Sequence, residues 1–319
     1  MTSSSITTRV IRVDRVADNI RAYTLAREDK QPLPEFGAGA HIDLLLDNGM
    51  ARQYSLCSAP EALDSYRIAV QLETSGRGGS AYIHEHIEAG STLSINAPRN
   101  HFELNESADH YLLIAGGIGI TPLMLMAARL KALGKPFTLH YLCRTPEQAA
   151  FQGELEQQLG DQVQFHFSYG DSRRRLDLDA LFAGQKQATE VYTCGSEPLL
   201  QSILDAAENY PDIQVIFERF SAASNVGQAA NSAFEIELAR SGKTLSVAAD
   251  QSILEVLRAE GFNVETMCEE GLCGSCEVDL LEGEADHRDS VLTDAEKQEQ
   301  SALMVCCSRA ASGRLKLDL

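Results

Sequence analysis

Short runs that alternate apolar and polar residues fill the first hundred positions. Thr8–Val13, Ile20–Ala26, His41–Leu46, Tyr66–Leu72 and Thr92–Ile95 read as strands, with tight turns at Gly37-Ala38-Gly39 and Asp47-Asn48-Gly49. Strands this short at regular turn spacing predict a small antiparallel β-barrel. The pattern then changes. Tyr111–Ala115 is an unbroken apolar run, as for a strand buried on both faces, and Leu123–Leu133 has helical periodicity closing at Gly134. Strands at Phe137–Cys143, Val163–Ser168 and Glu190–Cys194 alternate with helices at Thr145–Leu159, Leu176–Phe182 and Pro198–Asn209. That alternation predicts a doubly wound parallel α/β sheet, with Ile213–Phe220 as its last strand. Residues Ser221 to Ser232 are small and polar and read as a flexible linker. Beyond them, Phe234–Leu238, Glu277–Leu281, Leu303–Val305 and Leu315–Leu319 read as strands, and Ser252–Glu260 and Asp294–Gln300 as helices. The expected organisation is multidomain α+β: segments 1–105 and 106–221, a linker at 222–232, and a third segment at 233–319.

Charge narrows the partners. A net charge of −19 and a pI near 4.8 argue against nucleic acid and anionic membranes. Met1–Ile6 lacks the basic start and apolar run of a secretory signal, and no apolar stretch approaches a membrane span. Eight cysteines without an export signal point to a reducing, cytoplasmic setting. Residues 233–319 hold 18 acidic against 8 basic residues. Such an excess serves solubility or docking onto a basic partner, and the sequence leaves both open.

The densest chemistry lies at Cys268, Cys273 and Cys276, spaced four residues and then two, with Cys306 further along. This is the plant-type spacing for a [2Fe–2S] cluster held by four thiolates. Gly271 and Gly274 let the loop fold tightly around a small core. A zinc site would more often pair two Cys-x-x-Cys units, and only one occurs. In a strand, Cys306 and Cys307 would point to opposite faces, so that only one could reach the core. Upstream, Arg52-Gln53-Tyr54-Ser55-Leu56 puts Arg52 and Tyr54 on one face of an extended run, an arginine for a phosphate and a ring for a flat ligand. Ser75-Gly76-Arg77-Gly78-Gly79-Ser80 precedes a short helix, Ala81–Ile87, and forms an anion-binding turn. Gly116-Gly117-Ile118-Gly119-Ile120-Thr121-Pro122 joins a buried strand to a helix, with Thr121 expected as N-cap and Pro122 at the first helical position. It is a pyrophosphate cradle, although not the standard G-x-G-x-x-G. Cys194-Gly195 repeats the strand–glycine–helix logic; taken alone, Cys194 is also an ordinary buried thiol. His84 and His86 show no ligand pairing.

Arg52-x-Tyr54-Ser55 with its following glycine loop resembles the flavin domain of the ferredoxin–NADP reductase superfamily. The order flavin, nicotinamide, cluster, together with Glu284-Ala285-Asp286-His287-Arg288-Asp289, resembles the phthalate dioxygenase reductase family over nearly the whole chain. The resemblance implies FMN held by Arg52, Tyr54, Ser55, Leu56, Gly78, Gly79 and Ser80, although composition does not separate FMN from FAD. It implies a nicotinamide dinucleotide at Gly116, Gly117, Gly119, Thr121, Pro122 and Gly195, with Cys194 beside the nicotinamide and Phe220 against the flavin ring. Asp171 falls at the adenine ribose and favours NADH, whereas Arg173-Arg174-Arg175 could receive a 2′-phosphate. Ser308-Arg309-Ala310 selects Cys306 as fourth ligand in a β-grasp ferredoxin domain and leaves Cys307 to packing. The implied partner is the terminal, Rieske-type oxygenase of a two-component system. Chemistry agrees: nicotinamide gives two electrons as hydride and a cluster takes one, so a flavin belongs between them. A cytochrome P450 or free ferredoxin is an alternative acceptor. A redox-sensing regulator is opposed by the sign of the charge and by the complete relay.

Overall fold

β1 (Ile6–Ala17) pairs antiparallel with both β2 (Ile20–Arg27) and β6 (Thr92–Ile95), and β3 (His41–Leu45), β4 (Ala51–Ser55) and β5 (Tyr66–Gln71) complete a sheet of order β4-β3-β6-β1-β2-β5. A bridge between Leu56 and Ile68 brings its two edges together and closes the barrel. The computed structural model describes residues 5–59, 62–74, 78–185, 187–220, 231–266 and 268–319. Ser75–Arg77 of the glycine loop and residues 222–230 of the linker lie outside them. Val10, Leu25, Ile42, Leu44, Leu56 and Ile68 fill the barrel, one helix, α1 (Gly79–His86), packing Ile83 against it.

The second sheet is wholly parallel: β7 (Tyr111–Gly116), β8 (Phe137–Cys143), β9 (Val163–Phe167), β10 (Thr189–Cys194) and β11 (Ile213–Glu218), in the order β11-β10-β7-β8-β9. α2 (Ile120–Ala132) and α3 (Gln152–Leu159) bury one face; α4 (Leu178–Ala183) and α5 (Glu197–Ala207) cover the other. The chain leaves β7 toward β8 and returns on its other side at β10, so the crevice at the carboxyl ends of β7 and β10 is the topological switch point where such sheets bind ligands. Barrel residues Ile20, Ala22, Cys57, Ala69 and Phe102 pack in the same core as Tyr111, Leu113 and Met124. Arg67 reaches from the barrel to Glu154 at 2.8 Å. Barrel and nucleotide sheet therefore form one compact unit, 1–218, and residues 219–319 a second.

That second unit is a mixed sheet, β13-β12-β18-β14-β16, built from β12 (Phe234–Leu238), β13 (Thr244–Val247), β14 (Glu277–Glu282), β16 (Ala302–Met304) and β18 (Arg314–Leu317). β15 (Ala285–Asp286) and β17 (Arg309–Ala310) make a two-stranded ladder beside it. α6 (Ile253–Ala259) packs Ile253, Leu254 and Leu257 into the sheet core, and its start is fixed by a capping box between Ser252 and Glu255. α7 (Asp294–Glu299) is capped the same way by Thr293 and Glu296.

Three expectations change and three strands are new. Thr121 is not the N-cap of α2: a 3₁₀ turn at Gly117–Gly119 precedes the helix, and the Thr121 hydroxyl donates to the Ile118 carbonyl within it. The helix expected over Thr145–Leu159 divides, because Phe151 takes φ +60 to drive its ring into the core. β13, β15 and β17 had no expectation; two of them are only two residues long, too short for alternation to register. Cys306 and Cys307 sit in a turn, not a strand. Among the described residues no helix is long and apolar enough to cross a membrane.

Candidate functional site

β4 carries the first half of the site. Its pairing with β3 sets Tyr54 opposite Ile42 and Arg52 opposite Leu44. The Arg52 side chain lies across the first residue of α1: a Cβ on Gly79 would stand 2.4 Å from Arg52 Nε, so only glycine admits this approach. Gly78, at φ +83, turns the chain into that helix, and the Ser80 hydroxyl accepts the Glu73 amide at 3.0 Å. Burial pushes the Tyr54 phenol well above its ordinary pKa, keeping it neutral. Leu56 is fully buried in the barrel core and its amide donates to Ala40.

The two glycine turns of the nucleotide sheet touch. A Cβ on Gly119 would lie 2.2 Å from the Cys194 carbonyl oxygen, and one on Gly116 would lie 3.4 Å from Gly195 Cα. β7 and β10 can therefore present their ends side by side, with the first turn of α2 behind them. Thr121 and Pro122 are buried in that turn. Cys194 is 1% exposed; burial, then the nearby Glu218 carboxyl, hold its thiol protonated. Asp171 follows β9 and is occupied. Its carboxylate accepts the Arg173 amide at 3.0 Å and the Arg173 guanidinium at 3.0 and 3.1 Å, which lowers its pKa. Arg174 lies over the Tyr169 ring at 5.4 Å. Phe220 belongs to the second unit and is 38% exposed.

Sequence reasoning missed Glu218. It ends β11 beside Cys194 of β10, and the Ser55 hydroxyl of β4 lies near its carboxyl group. Its Oε2 is shut from solvent without a hydrogen-bond partner among the described residues. Burial raises the carboxyl to about 8, against a lowering by the Ser55 hydroxyl. A charged residue at the carboxyl end of a parallel strand was the available signal.

In the second unit, Glu269, Gly271 and Gly274 all take positive φ and wind Cys268–Cys276 into a tight loop. The amides of Glu270 and Leu272 donate to Cys268 Sγ at 3.3 and 3.4 Å, and Cys273 Sγ donates to Ser275 Oγ at 3.3 Å. The thiols pair, Cys268 with Cys273 and Cys276 with Cys306. The neighbouring Cys268 thiol lowers the pKa of Cys273, and Cys268 is raised in turn. Among the described residues no three such side chains converge as for a single metal ion. A binuclear core asks for two thiolates per iron instead, and the two pairs fit that division. Asp289 of the Glu284–Asp289 motif is buried, accepts the Val291 and Leu292 amides at 3.1 and 2.8 Å, and so fixes the neighbouring loop, whose Ser290 amide holds Gly271. Cys307 Sγ lies against Gly271 as well.

Comparison with known proteins agrees with this geometry. A family model for a 2Fe-2S iron-sulfur cluster binding domain matches residues 236–311. Tetrachlorobenzoquinone reductase of Sphingobium chlorophenolicum is 42% identical over 99% of this chain and 98% of its own length. Phthalate dioxygenase reductase of Burkholderia cepacia is 40% identical over 98% and 96%. A solved phthalate dioxygenase reductase, described as a modular structure for electron transfer from pyridine nucleotides to [2Fe-2S], superposes with a TM-score of 0.77 at 39% identity, over 99% of this chain and 98% of that one. An intact type IV self-sufficient cytochrome P450 monooxygenase superposes with a TM-score of 0.86 at 40% identity, but the match spans only 41% of that chain.

Proposed function

The chain belongs to the phthalate dioxygenase reductase family, whose members use FMN and NADH and pass electrons to a [2Fe–2S] domain; from this we propose that it delivers those electrons singly to a Rieske-type terminal oxygenase in the cytoplasm. One observation carries the reading: barrel and nucleotide sheet share one core in one unit, with Glu218 of β11 paired beside Cys194 and lying near Ser55 of the flavin strand.

Arg52 and the amides that open α1 would hold the flavin phosphate, with Tyr54 against the ring. The backbone bared at Gly116, Gly117, Gly119 and Gly195 would receive the dinucleotide, and Asp171 its adenine ribose. Bound flavin supplies the exchange between a two-electron donor and a one-electron acceptor. The rest falls to the chain. Cys194 and Leu199 crowd the glycine turns and exclude water, and Glu218 holds a proton beside the Ser55 hydroxyl below about pH 8. Cys268, Cys273, Cys276 and Cys306 would ligate the cluster, and the amides on Cys268 offset its negative charge. All eight cysteines are free, consistent with a reducing compartment.

Purified protein should show flavin and iron–sulfur absorbance and reduce cytochrome c with NADH. Cys273→Ser should keep NADH-driven ferricyanide reduction and lose cytochrome c reduction; retained cytochrome activity would contradict the relay. The P450 match favours a second reading, a haem monooxygenase as acceptor. Turnover with a Rieske oxygenase but not with a P450 would separate the two.

A further inference from the structure

Five thiols, not four, surround the cluster loop. Because Cys306 and Cys307 lie in a turn, their side chains do not part to opposite faces as they would in a strand. Cys306 directly precedes Cys307 in this turn, with the Gly271 backbone nearby. Cys307 Sγ meets the same glycine from its α-carbon side: a Cβ on Gly271 would stand 2.5 Å from that sulfur. Gly271, at φ +71 and without a side chain, thus makes room for the Cys307 sulfur within the cysteine loop. The remaining contacts of Cys307 are weak, with the Met304 carbonyl at 3.8 Å and the Ser308 hydroxyl at 4.0 Å. Nothing strong holds it away from its neighbour's place.

We propose that Cys307 is a reserve fourth ligand, able to replace Cys306 on the iron that Cys276 also holds. The inference rests on the four-cysteine reading above. The exchange balances without an oxidant. An iron bond to Cys307 Sγ forms as the bond to Cys306 Sγ breaks. The Cys307 proton passes to the departing thiolate of Cys306, its neighbour in the turn, and no electron changes hands. Cys268, Cys273 and Cys276 have no adjacent cysteine, so only the fourth position has such a substitute.

Alanine variants test this, since alanine cannot ligate. Iron and acid-labile sulfide are measured after anaerobic reconstitution, with NADH–ferricyanide activity reporting an intact first unit. Cys306→Ala should retain roughly half or more of the wild-type cluster, and Cys306→Ala/Cys307→Ala less than roughly a tenth, since a site short of one ligand loses most of its affinity. Equal loading of the two variants, whether both full or both empty, overturns the proposal. If Cys306→Ala does not fold, Cys307→Ala decides the matter: it should yield its cluster to an iron chelator roughly tenfold faster than wild type, and an unchanged rate overturns the proposal. Wild-type protein that takes up no iron or sulfide would instead remove the cluster reading itself.

Discussion

Glu218 sits where a charge is expensive, and its raised pKa gives a stability signature with a definite sign. The carboxyl titrates near 4.5 when exposed and near 8 when folded, so between those values the native state holds the extra proton. Stability therefore falls as pH rises through that window. Glu218→Gln should flatten the decline in the melting temperature of the first unit between pH 5 and 8.5; an unchanged slope would assign the dependence elsewhere. Asp171 poses a different question, because Arg173 already occupies its carboxylate. Asp171→Ala removes an acceptor for a ribose hydroxyl and releases a guanidinium that suits a 2′-phosphate. The ratio of kcat/KM for NADH over NADPH should fall by roughly tenfold, about 1.4 kcal/mol, and no change would take Asp171 out of the ribose site. Cysteine spacing alone suggested the proposed ligand set. Glu218 was not readable in this way, since its significance comes from a serine on another sheet.

At the scale of elements, glycines decide how closely the cradles are built. The Arg52 side chain is flexible, so a methyl on Gly79 displaces it without breaking the barrel. Gly79→Ala should raise the dissociation constant for flavin roughly tenfold while the melting temperature of the apoprotein stays near wild type; tight flavin binding would detach Arg52 from the phosphate. Strands with strong patterns, such as Phe137–Cys143, lie where alternation and apolar runs put them. The helix over Thr145–Leu159 breaks before Gln152, because Ala149, Ala150 and Phe151 are drawn into the core shared with the barrel and helical periodicity carries no trace of that pull. Thr121 failed as a cap for a related reason: the tight Gly117–Gly119 turn begins the helix earlier than side-chain preference suggests.

For the whole molecule, charge governs encounter. Ten of the 19 excess negative charges fall between residues 233 and 319, the segment carrying the proposed cluster cysteines. Electron delivery to basic cytochrome c should slow by roughly tenfold between 0.05 and 0.5 M salt, as screening shortens the field's reach; NADH oxidation by the first unit should change little. A flat salt profile for cytochrome c would reduce the acidic excess to solubility alone. The sequence by itself determined the order of the cradles, the cysteine ligand spacing and the class of each sheet, because these follow from local periodicity and from motifs a few residues long. Only the tertiary structure decided that barrel and nucleotide sheet share one core, that Glu218 is buried near both Ser55 and Cys194, and that Cys307 packs on Gly271. Each of these depends on segments far apart in the chain meeting in space, which no local pattern encodes.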